Sequence, residues 1–246
     1  MKKHIPNAIT SINLFSGCIA IVLLFSGFYK WAFIAMAVGM IADFFDGMAA
    51  RLLNVKSELG IQLDSLADLV SFGVFPGMVM FVAIQKCTFL PELFLAGFPL
   101  FSFAALLIPV FSAIRLGRFN LDTRQTVNFI GLPTPANAII IVSLCLYPFI
   151  FEQNSSFDIF MFSISSNFYI LMALTLLSCW VLNSEIPFFS LKFKNLKWKS
   201  NESRFVFLFV ALVLAIFFHF KSIPLIMLSY LLISIISNLF RGKSTK

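Results

Sequence analysis

Stretches of about twenty apolar residues recur along almost the whole of this chain, and no other feature constrains its fold as tightly. They fall at about 8–27, 31–50, 63–85, 94–114, 132–150, 167–183, 205–220 and 223–240. A helix needs about 20 residues to cross a bilayer core about 30 Å thick. In lipid the backbone must satisfy its own hydrogen bonds, and a helix does so within one segment. The expected fold class is therefore an all-α polytopic membrane protein with about eight transmembrane helices. Lys221 and Pro224 mark the turn that separates the last two. With 60% hydrophobic and 12% charged residues, 33 of the chain being Phe, too few polar side chains remain to cover a water-facing surface. The chain reads as one membrane domain over 1–246, with no internal repeat, low-complexity tract or soluble domain.

Charge placement orients these segments. With the N-terminus inside, all but three of the 18 Lys and Arg fall in inner segments; the exceptions are Lys30, Lys86 and Lys221. That asymmetry predicts both termini on the cytoplasmic side. The longest outer loop, near 151–166, carries Glu152 and Asp158 and no cation. The net charge of +7 does not indicate nucleic acid, because the cations lie between apolar segments rather than on one face. The basic stretch Lys192–Lys199, with Trp198, is expected to rest on anionic lipid headgroups. Lys2-Lys3 before an apolar run has the outline of a signal peptide, but no A-x-A cleavage site follows, so a retained first helix is expected. Cys18, Cys87, Cys145 and Cys179 lie singly in apolar stretches and read as packing residues. His4 and His219 are isolated and receive no role.

Against this background the acidic residues stand out. There are only 11, and Asp43, Asp46, Asp64 and Asp68 crowd into 26 positions. Helical residues three or four apart share a face. Asp43 and Asp46 thus point together from the second helix, and Asp64 and Asp68 from the third. A short inner loop makes these helices antiparallel neighbours, so the two faces meet. Charges at membrane depth are costly and normally face a cavity and a partner. Arg51 is the obvious nearby cation and cannot neutralise four carboxylates. All-oxygen ligation suits a hard divalent ion, Mg²⁺ or Mn²⁺, of the kind that bridges carboxylates and substrate phosphates. Gly47 and Ala50 leave room for a ligand, Arg51 can hold phosphate through its planar fork, Gly60 relaxes the loop, and Ser57 can donate to the same ligand.

The stretch Asp43-x-x-Asp46-Gly47-x-x-Ala50-Arg51, then eight residues, then Gly60-x-x-x-Asp64-x-x-x-Asp68 resembles the signature of the CDP-alcohol phosphatidyltransferase family at every fixed position. The runs 5–10 (IPNAIT), 56–68 (KSELGIQLDSLAD), 115–120 (RLGRFN) and 131–137 (GLPTPAN) are similar to its serine-accepting branch. The resemblance covers most of 5–140. It implies a six-helix core, about 5–183, with two added C-terminal helices at about 205–240, and a homodimer. It also implies two divalent metals among Asp43, Asp46, Asp64 and Asp68, with Asp68 as general base. Expected contacts to CDP-diacylglycerol are Pro6, Asn7, Asp43, Asp46, Gly47, Ala50, Arg51, Ser57 and Gly60.

The implied reaction moves the phosphatidyl group of CDP-diacylglycerol to the hydroxyl of L-serine and releases CMP. That hydroxyl is a weak nucleophile and needs a positioned base. The acceptor's carboxylate needs a cation, for which Arg115 and Arg118 are the candidates, with Asn120 as polar partner. Three other readings are weighed. Glycerol 3-phosphate or inositol phosphate as acceptor would want a denser cationic pocket. Intramembrane prenyltransferases carry aspartate boxes on separate parts of the chain. An ion-coupled transporter would show internal repeats or broken helices.

Overall fold

Burial along the first helix selects mostly small and polar residues, as expected where helices associate in lipid through close backbone approach. The computed structural model describes residues 4–55, 57–88, 90–122, 129–189, 198 and 201–241. Lys2, Lys3, Lys56, Arg124, Lys243, Lys246 and the basic stretch Lys192–Lys199 other than Trp198 lie outside the described residues. Helix α1 (His4–Phe25) buries Pro6, Thr10, Asn13, Gly17, Ala20 and Leu24 at three- and four-residue spacing. It turns Ile12, Phe15 and Val22 outward. Helix α2 (Tyr29–Leu52) returns along it after Gly27, which sits at φ +80. Gly39 permits the approach, since a Cβ there would lie 3.1 Å from Asn13 Oδ1.

Helix α3 (Glu58–Asp68) starts at Ser57, whose Oγ accepts the Gly60 N–H at 3.0 Å and satisfies one orphan donor of the first turn. The helix does not end at Asp68. It passes through a π turn, Leu69–Val74, into α4 (Phe75–Gln85), giving one stretch of 28 residues. This is the central element: Phe72, Phe75, Val79, Met80 and Ile84 are fully buried. The π turn directly follows Asp68, and such turns occur mostly at functional sites because the extra residue resets the face presented by each half. Ser71 in that turn donates to the Asn13 carbonyl at 3.0 Å. A Cβ on Gly77 would lie 2.7 Å from Pro109 Cδ, so the next helix also crosses close.

That next helix begins later than expected. Strands β1 (Phe94–Leu95) and β2 (Phe98–Pro99) pair around Ala96 and Gly97, at φ 51 and 82. Two central residues with positive φ are what a tight hairpin requires. A 3-10 stretch, Leu100–Leu106, then leads into α5 (Leu107–Leu121). The span expected over 94–114 thus shifts to Leu100–Leu121, because Gly97 and Pro99 close a turn instead of entering a helix. Helix α6 (Thr134–Cys145) stops at Leu146, and a short α7 (Tyr147–Ile150) carries Pro148 in its first turn. The expected outer loop 151–166 contains α8 (Ser156–Ser165), capped by Ser155. Then α9 (Phe168–Leu182) follows, and β3 (Phe129–Ile130) pairs with β4 (Pro187–Phe188). Helices α10 (Glu202–Phe218) and α11 (Ile223–Arg241) are separated by a 3-10 turn in which His219 has φ 50. Leu132, Phe188, Phe189, Phe207 and Tyr230 form a second apolar cluster between this pair and the rest.

This is an all-α membrane protein. Among the described residues five helical stretches are long and apolar enough to cross: His4–Phe25, Tyr29–Leu52, Glu58–Gln85, Leu100–Leu121 and Glu202–Asn238. The last includes the bend at His219–Ser222. Thr134–Cys145, Ser156–Ser165 and Phe168–Leu182 are apolar but shorter. The eight expected segments thus correspond to five long helical stretches, the last holding two of them, and two shorter apolar helices ended early by Leu146 and Asn183.

Candidate active site

The outer-loop residues and the aspartates occupy separate groups of contacts. In one, Lys86 donates to the Tyr29 hydroxyl at 2.5 Å and lies over the Phe149 ring, while Lys221 pairs with Asp158 at 2.7 Å. In the other, α2 and α3 bring the motif together. Carboxylate oxygens of Asp43, Asp64 and Asp68 all lie within 4.8 Å of one another. Three carboxylates held this close repel one another unless a proton or cation lies between them. Among the described residues no Lys or Arg lies within ion-pair distance of the cluster. Three oxygen donors this close, without a compensating cation, fit a hard divalent metal ion. Asp46 stands beside them, 5% exposed, and its Oδ2 accepts from Thr10 Oγ1 at 2.6 Å.

A cavity of about 150 Å³ opens next to the carboxylates. Of the expected CDP-diacylglycerol contacts, Pro6, Asn7, Asp46, Gly47, Ala50, Ser57 and Gly60 line it, joined by Thr10, Val55, Ile61 and Asp64. Asp43 faces the other two carboxylates, and Arg51 is exposed on the last turn of α2, outside the lining. A Cβ on Gly47 would meet nothing within 4 Å, so this glycine keeps space open. Gly60 has the opposite reason: a Cβ there would lie 2.8 Å from Ser57 Oγ and 3.0 Å from Asn7 Oδ1. Ser57 Oγ, already accepting from Gly60, still has its own proton to donate.

Two site residues were missed by the motif. Thr10 holds Asp46, and Asn13 Nδ2 donates to Asp68 Oδ1 at 3.2 Å. Their signal was present: polar side chains at 10 and 13 continue the Pro6 face of an otherwise apolar helix. The acceptor candidates divide. Arg115 is 6% exposed, and its Nε donates to the Leu132 carbonyl. Arg118 lines a small pocket with Arg115. Asn120 instead donates to Ser65 Oγ at 2.8 Å and ties α5 to α3.

An acidic cluster able to hold a metal ion, a cavity beside it and a helical membrane scaffold together mark an integral membrane protein with an enzyme-like site. The chain belongs to the CDP-alcohol phosphatidyltransferase family, whose model matches residues 3–236. It is 30% identical over 241 residues to the CDP-diacylglycerol–serine O-phosphatidyltransferase of Helicobacter pylori, covering 96% of this chain and 91% of that protein. Against the Bacillus subtilis enzyme of the same name it is 38% identical over 143 residues, 58% of this chain and 75% of the relative. The Saccharomyces cerevisiae enzyme of that name shares 34% over 175 residues, 64% of this chain and 59% of the relative.

Proposed function

We propose that this chain transfers the phosphatidyl group of CDP-diacylglycerol to L-serine, giving phosphatidylserine and CMP. The observation that carries the reading is the meeting of Asp43, Asp64 and Asp68 beside a cavity lined by the motif residues. The names of three relatives from distant organisms support serine as acceptor. In this reading the nucleotide portion lies in the cavity under Pro6 and Asn7, with Ser57 donating to it and Gly47 and Ala50 making room. Asp43, Asp46, Asp64 and Asp68 hold two divalent ions, Mg²⁺ or Mn²⁺. When bound, such ions offset the charge of the pyrophosphate and of the departing CMP.

The chain's own residues supply the rest. Asn13 engages one oxygen of Asp68, leaving the other to take the proton of the serine hydroxyl as its oxygen attacks the phosphorus bearing diacylglycerol. Arg115 and Arg118, which line one small pocket, hold the serine carboxylate. The active site faces the cytoplasm, in line with the Lys and Arg asymmetry, and the assembly is a homodimer. Purified protein given CDP-diacylglycerol, Mn²⁺ and either serine, glycerol 3-phosphate or inositol phosphate tests this directly. CMP release with serine is expected. Absence of CMP release with every acceptor would sink the enzymatic reading, and release with glycerol 3-phosphate alone would sink the serine assignment.

A further inference from the structure

Asp68 and the π turn that follows it, Leu69–Val74, grip one residue of α1 at two points. Asn13 Nδ2 donates to Asp68 Oδ1 at 3.2 Å, and Ser71 Oγ donates to the Asn13 carbonyl at 3.0 Å. Asn13 and Ser71 are both fully buried. The amide fits only one way round, because exchanging its ends would set its oxygen against a carboxylate oxygen. Asn13 Oδ1 then lies 3.1 Å from where a Gly39 Cβ would be, with no hydrogen-bond partner among the described residues. A buried unpaired carbonyl is unfavourable, so packing alone gives no reason for an amide at this position. Its donor to Asp68 supplies one. The Ser71 hydroxyl is also seated tightly: a Cβ on Gly17 would lie 2.4 Å from Ser71 Oγ and 3.0 Å from Ser71 Cα. On the far side of the turn, a Cβ on Gly73 would lie 3.0 Å from Ser112 Cβ. The turn is thus wedged between α1 and α5.

Asn13 lies inside α1, so its carbonyl belongs to that helix's own ladder, and the bond from Ser71 is additional to it. That extra bond fixes α1 against the turn beside Asp68. We infer that Ser71 and Gly17 are positioning residues for Asp68, acting through Asn13. Gly17 leaves the space that the Ser71 hydroxyl occupies, Ser71 holds the Asn13 backbone, and the Asn13 amide holds one carboxylate oxygen. The other oxygen is thereby aimed at the acceptor hydroxyl. The inference rests on the reading that Asp68 takes the acceptor's proton, and adds to it the residues outside the aspartate motif that aim this base. A reacting group displaced by about 1 Å can cost about a hundredfold in rate, so an aiming contact two residues removed from the chemistry has a measurable effect.

The test measures CMP release at saturating CDP-diacylglycerol, serine and Mn²⁺, expressed per CDP-diacylglycerol-binding site so that unfolded protein does not count. Ser71→Ala removes the hydroxyl, and Gly17→Ala displaces it from the opposite side. Each is expected to lower kcat roughly ten- to a hundredfold while the CDP-diacylglycerol KM stays within about twofold. The solvent deuterium isotope effect on kcat should rise in both, because a misaimed base slows the proton transfer; a packing defect alone would not raise it. In an Asn13→Leu background, Ser71→Ala should cost less than about a further twofold, because the amide it positions is gone. A Ser71→Ala kcat within about twofold of the wild type overturns the inference. So does an equal loss from Ser71→Ala with and without the Asn13 amide. If Ser71→Ala binds no CDP-diacylglycerol, Gly17→Ala carries the same comparisons. Substantial turnover by Asp68→Asn overturns instead the reading on which the inference rests.

Discussion

Thr10→Val isolates a contact that the motif does not contain. Thr10 is 3% exposed, and its Oγ1 lies 2.6 Å from Asp46 Oδ2 and 3.0 Å from the Pro6 carbonyl. The hydroxyl has one proton, and the shorter contact to a carboxylate takes it. Valine keeps the shape of the side chain, so the α1–α2 packing survives while the carboxylate loses its donor. Hydrogen bonds to charged groups contribute about 1.5–3 kcal/mol. Partners that orient a metal-ligating group typically account for about 10–100-fold in metal affinity. The two ranges agree, so half-saturation by Mn²⁺, read as CMP release at saturating CDP-diacylglycerol and serine, should rise by about one to two orders of magnitude in Thr10→Val. Thr10→Ser should restore it. Stability against thermal unfolding in detergent without metal should fall by no more than the lost hydrogen bond, about 1.5–3 kcal/mol, because no cavity is made. A Thr10→Val half-saturation point within about threefold of the wild type would refute the claim that Thr10 orients a metal ligand.

Asp68→Asn should abolish turnover yet leave CDP-diacylglycerol binding measurable by a ligand-induced melting shift; substantial residual turnover would show that Asp68 is not the base. Gly47→Val places methyl groups in open space at the cavity wall. It should therefore raise the KM for CDP-diacylglycerol by about tenfold or more at unchanged melting temperature, and equal KM values would argue that the nucleotide lies elsewhere. On the opposite side, the Lys221 ammonium and the Tyr147 hydroxyl hold the buried Asp158 carboxyl well below the usual carboxylate range. A depressed carboxylate contributes stability that is fully present above its unfolded value of about 3.9 and is lost as pH falls through its lower folded value. Lys221→Met should thus lower stability by roughly 1–3 kcal/mol at pH 7. The gap between it and the wild type should narrow only on strong acidification; a gap already closing at pH 6 would assign the effect to another group.

Helix existence was legible because the bilayer demands long apolar runs, and those runs cannot be hidden in composition. The ends were less so. Ala96–Gly97 forms a hairpin where a helix was expected, and Ser155 caps a helix inside an expected loop. Both outcomes depend on a few turn residues that a hydropathy window averages away. The aspartate motif was read from spacing alone, since helical geometry places residues three and four apart on one face.

What the sequence determined by itself was the class of the molecule, most of the helical segments and the four-aspartate motif. Local periodicity and membrane energetics govern all three, and each is written within a short stretch of chain. Only the tertiary structure decided which groups surround those carboxylates. Thr10 lies 36 positions from Asp46 and Asn13 lies 55 from Asp68, and no local pattern encodes such pairs. The tertiary structure likewise pairs Asn120 with Ser65 and leaves Arg51 outside the cavity lining. It also sets Ser71 against Asn13 and Gly17. Side chains far apart in the chain meet only when helices pack, and packing depends on every neighbour at once.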